Sequence, residues 1–130
     1  MLEAGIKGRK ELVVTNALTA KEYASGDALV YATPALVALA EGTALESVRP
    51  ELEEGQATVG TNVNIDHIAA TPVGMKVWCE SELIEVDRRR LVFKIEVFDE
   101  CEKVAEGTHE RFIIFSEKFQ AKADAKLNRY

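Results

Sequence analysis

The sequence predicts an α+β fold in which one long helix lies against a strongly curved antiparallel sheet. Three observations carry this. Only one segment, Thr33 to Val48, has helical character and real length. Four long strand patterns follow it, joined by turns too short for anything but antiparallel pairing. The chain has 130 residues, 47% of them apolar, which suits a single domain over 1–130 built on one core.

Taken in order, residues 8–15 (GRKELVVT) read as a short first strand, and 16–32 are irregular, with Ser25-Gly26-Asp27 as a turn signal. The helix opens at Thr33-Pro34, read as an N-cap followed by proline at the first helical position, and ends near Pro50. Residues 56–68 (QATVGTNVNIDHI) alternate as a strand, and Thr71-Pro72-Val73-Gly74 turns the chain. Strands over 75–86 and 90–98 flank a tight turn at Asp87-Arg88-Arg89, and the last strand covers 103–115. The polar tail over 116–130, with lysines at 118, 122 and 126, reads as a short surface helix. One helix covers one face of such a sheet, so the open edge calls for a partner, most simply a second copy in a symmetric homodimer.

The net charge of −6 argues against nucleic acid or an anionic membrane as main partner. No apolar run approaches a membrane span, and the N-terminus lacks a signal-peptide core. Cys79 and Cys101 occur without metal-ligand spacing and read as reduced residues of a cytoplasmic protein; no metal is expected. GxSxG, GxGxxG, Walker and HExxH motifs are absent, which leaves serine-hydrolase, nucleotide and zinc-hydrolase readings unsupported.

Glu41 stands out. At about 100° per residue it projects into a helix face formed by Val37, Ala44, Leu45 and Val48, whereas Glu46 points to solvent. A carboxylate there costs several kcal/mol unless partnered, and burial favours acid–base use. The alternative is a flank glutamate whose stem packs while its head reaches water. His67 continues the apolar parity of Val59, Thr61, Val63 and Ile65, so its imidazole is expected to face the helix that carries Glu41. The two form a candidate acid–base pair; a core-edge histidine bonded to a backbone carbonyl is the other reading. Thr33 is either an N-cap alone or a hydroxyl in the positive field of the helix N-terminus, two turns before Glu41. Gly60 permits a bulge or the close approach of a ligand. His109 and Arg111 share the apolar parity of Ile113 and Phe115, and an arginine there needs a partner: Glu41, a substrate carbonyl or a carboxylate of a second protomer, with a rim salt bridge as the alternative. Arg88-Arg89-Arg90 reads as a solvated hairpin that could also meet a phosphate.

Ala32-Thr33-Pro34, Glu41, Val59-Gly60-Thr61, the run from His67 to Gly74 and Gly107-Thr108-His109-Glu110-Arg111-Phe112, in this order and spacing, resemble the fluoroacetyl-CoA thioesterase family of hotdog-fold proteins. The resemblance spans about residues 10–122. It implies a hotdog fold, with a long central helix wrapped by the sheet and two protomers sharing one continuous sheet near their active sites. It further implies a catalytic set of Thr33, Glu41 and His67, with Gly60 and Arg111 lining the acyl pocket. The segment before the helix departs from the family: Ser25 to Tyr31 carries Tyr31 as its only aromatic, where the fluoroacetyl-specific enzyme has phenylalanines that close over the acyl group. Fluoroacetate detoxification is therefore not expected. The expected activity is hydrolysis of a short-chain acyl-CoA thioester without metal or redox cofactor. The rival from another class is a non-catalytic acyl-CoA-binding or regulatory module on the same scaffold. An enoyl-CoA hydratase is disfavoured, because Leu29, Val30 and Tyr31 stand where the Asn and His of its motif are required.

Overall fold

The computed structural model describes residues 2–129. Strand β1 (Lys7–Val13) precedes an irregular segment and helix α1 (Thr33–Val48); strands β2 (Gln56–His67), β3 (Lys76–Asp87), β4 (Arg90–Asp99) and β5 (Lys103–Phe115) follow, then helix α2 (Ser116–Asp124) and a 3-10 turn over Ala125–Arg129. All pairings are antiparallel, in the order β1-β3-β4-β5-β2. The predicted α+β layering and strand limits hold to within about two residues.

The core is the space between α1 and the inner face of the sheet. Leu36, Ala40, Ala44 and Val48 pack there with Val77, Cys79 and Leu83 of β3 and with Leu91, Phe93, Ile95 and Val97 of β4, all fully buried. Alternation places these sheet residues on one face. Small alanines on the helix stripe let its backbone approach the concave sheet closely. Helix α2 buries none of its residues and lies on the surface, as its polar composition implies.

Three local expectations are corrected. The buried stripe of α1 is Ala35, Leu36, Leu39, Ala40, Thr43, Ala44 and Val48. Val37, Glu41 and Leu45 form the half-buried flank beside it. Equal apolarity on two adjoining helix faces hid which one meets the sheet. Second, the N-cap is Ala32, which makes no side-chain cap bond, and Thr33 is the first helical residue. With Pro34 lacking an N–H, one of the donors a cap would serve is missing, and the threonine hydroxyl turns elsewhere. Third, the β2–β5 register shifts between Gly60 and Asn62. Thr58 and Gly60 face inward opposite Ile113 and Arg111; beyond the bulge Val63, Ile65 and His67 do, opposite His109, Gly107 and Ala105. Val59, opposite the exposed Phe112, therefore faces out.

The open edge of the sheet at β2 carries exposed Asn62, Val63 and Asn64. Val63 points inward yet remains 41% exposed. The arginine hairpin is a two-residue turn with Arg88 in the left-handed region (φ 59°). Arg90 is ion-paired to Glu85 and Glu110, and Arg89 lies over the Phe115 ring.

Candidate active site

Two groups of side chains meet along the flank of α1 that faces β2. The first joins the helix N-terminus to the end of β2: Thr33 Oγ1 lies 2.7 Å from His67 Nδ1. Thr33 is free to make this bond because it is not capping its own helix. His67 is half-buried, and its Nε2 is shielded from solvent with no hydrogen-bond partner among the described residues. Burial pushes the imidazole below its ordinary range, and the Ala69 backbone offsets part of that. A neutral imidazole with one anchored nitrogen and one orphaned nitrogen is suited to giving and taking a proton. Beside this pair opens a cavity of about 300 Å³ walled by Ala20, Ser25, Val30, Tyr31, Ala69 and Ala70.

The second group sits mid-helix, at the bulge. A Cβ on Gly60 would fall 2.5 Å from Glu41 Oε1, 3.2 Å from His109 Cε1 and 3.4 Å from Arg111 Nη1. The carboxylate therefore rests directly on the Gly60 backbone, with the histidine and the arginine around the same point. Arg111, 6% exposed, directs Nε to Thr58 Oγ1 at 2.8 Å, Nη2 to the Thr58 carbonyl at 2.9 Å and Nη1 to His109 Nε2 at 3.2 Å. Glu41 receives none of these bonds. It faces the buried cation through space, and its charge offsets part of the burial that otherwise lowers the Arg111 guanidinium.

Thr33 and Glu41 are eight residues apart, about 12 Å along the axis at 1.5 Å per residue. The strand residues they meet are seven positions apart on β2, Gly60 beside Glu41 and His67 beside Thr33, so the two groups stand apart along the same flank. No direct hydrogen bond joins Glu41 to Thr33 or His67 among the described residues. The expected residues thus line one flank as two contacting pairs. Residues that sequence reasoning did not weigh in the site are Thr58, which anchors Arg111, and His109, whose parity alone stands out; an inward-facing arginine that must find partners was the signal for both.

The model of the fluoroacetyl-CoA-specific thioesterase family matches residues 14–117. The chain belongs to this thioesterase family. It is 39% identical over 97 residues to the fluoroacetyl-CoA thioesterase of Streptantibioticus cattleyicolor, covering 75% of this chain and 70% of that protein. A solved structure of the fluoroacetyl-CoA thioesterase FlK superposes with a TM-score of 0.90 at 33% identity, covering 97% of this chain and 98% of the other. A Thermus thermophilus thioesterase-superfamily protein gives 0.92 at 26% identity, over 99% of this chain and 96% of its own. The fold is accordingly the hotdog fold of these thioesterases, as the resemblance implied.

Proposed function

We propose that this family member hydrolyses short-chain acyl-CoA thioesters to the free acid and CoA, with Thr33, Glu41 and His67 as the reacting set. The observation that carries the reading is the flank itself. A carboxylate held against Gly60 and a hydroxyl–imidazole pair with a free, desolvated ring nitrogen lie along one flank of α1. Glu41 deprotonates a water that attacks the carbonyl carbon, or attacks it directly to form an acyl-glutamyl anhydride that water then splits into free acid and the Glu41 carboxylate. The carbonyl π electrons move to oxygen, the C–S bond breaks as the oxyanion collapses, and His67 passes a proton to the departing thiolate and regains one from the consumed water. Thr33 orients His67 through its 2.7 Å bond. Arg111 and the Gly60 backbone border the developing oxyanion, where fixed donors have their largest effect. Protein groups alone complete this cycle, so no metal or redox cofactor is invoked.

Tyr31 is the only aromatic residue in the wall of the cavity beside Thr33 and His67. A match to the fluoroacetyl-CoA thioesterases does not make fluoroacetyl the acyl group here. The enzyme is read as a cytoplasmic homodimer that pairs the β2 edges of two protomers, which would cover the inward-facing but exposed Val63. Free Cys79 and Cys101 suit a reducing compartment.

The test is release of free thiol from a panel of acyl-CoAs of graded chain length, fluoroacetyl included. Turnover of two- to four-carbon acyl groups supports the reading. Saturable binding of the same thioesters without turnover establishes the non-catalytic module instead.

A further inference from the structure

The proposed reaction leaves one titratable group without a role. His109 is fully buried in the middle of β5, with its ring stacked on Phe93 at 6.2 Å between centroids. Its Nδ1 lies 2.7 Å from the Asn62 carbonyl oxygen. A carbonyl only accepts, so Nδ1 carries the proton. Nε2 is then a lone pair, and Arg111 Nη1 donates to it across 3.2 Å. With both Thr58 contacts, the guanidinium is held at three points. These anchors straddle the bulge: Thr58 precedes Gly60 on β2, and Asn62 follows it. The cation that faces Glu41 is thus aimed by a neutral imidazole tied to the far side of the same bulge.

We propose that His109 is a positioning residue for the thioester reaction: as the Nδ1–H tautomer it locks the Arg111 guanidinium against the Glu41–Gly60 pair and fixes the bulge that brings them together.

This rests on the thioesterase reading for its consequence in rate, but not for its geometry. A protonated His109 would set N–H against N–H at Nη1 and place a second cation beside Arg111. Burial holds the imidazole below its ordinary range against the Asn62 carbonyl, and Arg111 adds to burial. The other charged groups that act on it, Glu41 from α1 and Glu110 from β5, pull the opposite way. Phe93 of β4 contributes no charge.

Two amide substitutions separate the halves of the arrangement. His109→Gln places an acceptor near the Nε2 position and keeps the bond from Arg111, giving up the donor to Asn62. His109→Asn places a donor near Nδ1, keeps Asn62 and leaves Arg111 Nη1 without an acceptor. Both lose the ring stacked on Phe93. Thiol release on the wild type's best acyl-CoA, normalised to folded protein, is expected to fall less than about 10-fold in the Gln variant and about 10²-fold in the Asn variant, the scale of an ångström-level misplacement in an active site. In an Arg111→Gln background the two substitutions are expected to give equal rates. Equal rates for Gln and Asn in the wild-type background, or additivity with Arg111→Gln, overturn the proposal. Imidazole ¹⁵N NMR of the wild-type protein decides the geometry even where a variant fails to fold. A neutral Nδ1–H ring at pH 7 supports the lock, and an Nε2–H or doubly protonated ring refutes it. A wild type that turns over no thioester refutes the functional reading and leaves the NMR result on the lock standing.

Discussion

Gly60→Ala is the sharpest probe of the site, because the structure separates its effect on folding from its effect on rate. The added methyl would sit 2.5 Å from Glu41 Oε1. Relief to an ordinary contact of roughly 3.4–4 Å requires the carboxylate to retreat by about an ångström. That oxygen is the far end of a flexible side chain on the half-buried flank of α1, so it can move without disturbing backbone. The other two neighbours, His109 Cε1 at 3.2 Å and Arg111 Nη1 at 3.4 Å, are close but need shift little. Gly60 has no left-handed backbone that would make alanine strained. Alanine in a strand also removes unfolded-state freedom worth about 0.4–1 kcal/mol. Stability should therefore change by under about 1 kcal/mol in either direction. Catalysis should not tolerate the same shift: displacement of the reacting group by about an ångström costs about 10²-fold in rate. Thermal melting and thiol-release kinetics on the same preparation make the comparison. A variant that melts like wild type and turns over within about threefold of it would show that Glu41 does not act from its place on Gly60, and the mechanism above would fall.

Other substitutions divide the remaining roles. Glu41→Gln keeps the shape and removes the charge; it should abolish most turnover while the far- and near-UV circular dichroism stay unchanged. Thr33→Ala should cost little stability, since Thr33 makes no cap bond, but should lower the rate by freeing His67 from its 2.7 Å partner; Thr33→Ser should recover part of it. Gly107→Ala should unfold the β2–β5 pairing, because its Cβ would land on the Asn64 carbonyl oxygen and the Ile65 backbone, and the yield of folded protein is the readout. Stability should also fall as pH drops below the ordinary histidine value of about 6.5. His67 and His109 are both held below that value by burial, so the unfolded chain binds more protons than the folded one and acid favours unfolding. Denaturant titrations between pH 7.5 and 5 check the slope, which should be shallower in His109→Gln.

Layering and strand order along the chain were legible because they depend on period and turn length, and the Thr33–His67 and Glu41–Gly60 contacts lie between residues that the sequence singled out. Four strand patterns separated by tight turns leave little topological choice. What the sequence hid was phase. A helix with apolar residues at 36, 37, 39, 40, 44, 45 and 48 has two plausible faces, and only packing on the sheet shows that 36, 40 and 44 go in while 37, 41 and 45 stay on the flank. Strict alternation put Val59 inside; the bulge after Gly60 reverses the parity and puts Thr58 and Gly60 there instead. Thr33 has the composition of a cap, but proline behind it leaves little to cap, and its hydroxyl serves His67. His109 shared Arg111's parity in plain view. Its hydrogen bond to the backbone of Asn62 depends on that bulge and on nothing written at position 109.

The position of Glu41 shows why the chemistry sits on a flank and not in the core. A carboxylate on the central stripe, among Leu36, Ala40 and Ala44, would be desolvated without a partner and unreachable by substrate. One more step toward solvent, at Glu46, the charge is paired with the Lys10 ammonium on β1, and both are about half-exposed. The stripe between them faces the open β2 edge, where Gly60 removes the side chain that would fill the gap and Arg111 supplies a buried charge of opposite sign without closing a salt bridge. Such a carboxylate is held in place yet keeps its lone pairs free. The bulge makes this possible, since it turns Gly60 and His67 toward the same side of one strand although they are an odd seven positions apart. Deleting Thr61 removes the extra residue and makes Gly60 and Asn62 consecutive in regular pairing, with Gly60 and His67 six positions apart and still on one face. The sheet should fold and turnover should survive, and loss of turnover with the secondary structure intact would mean that the two residues need more from the bulge than a shared face.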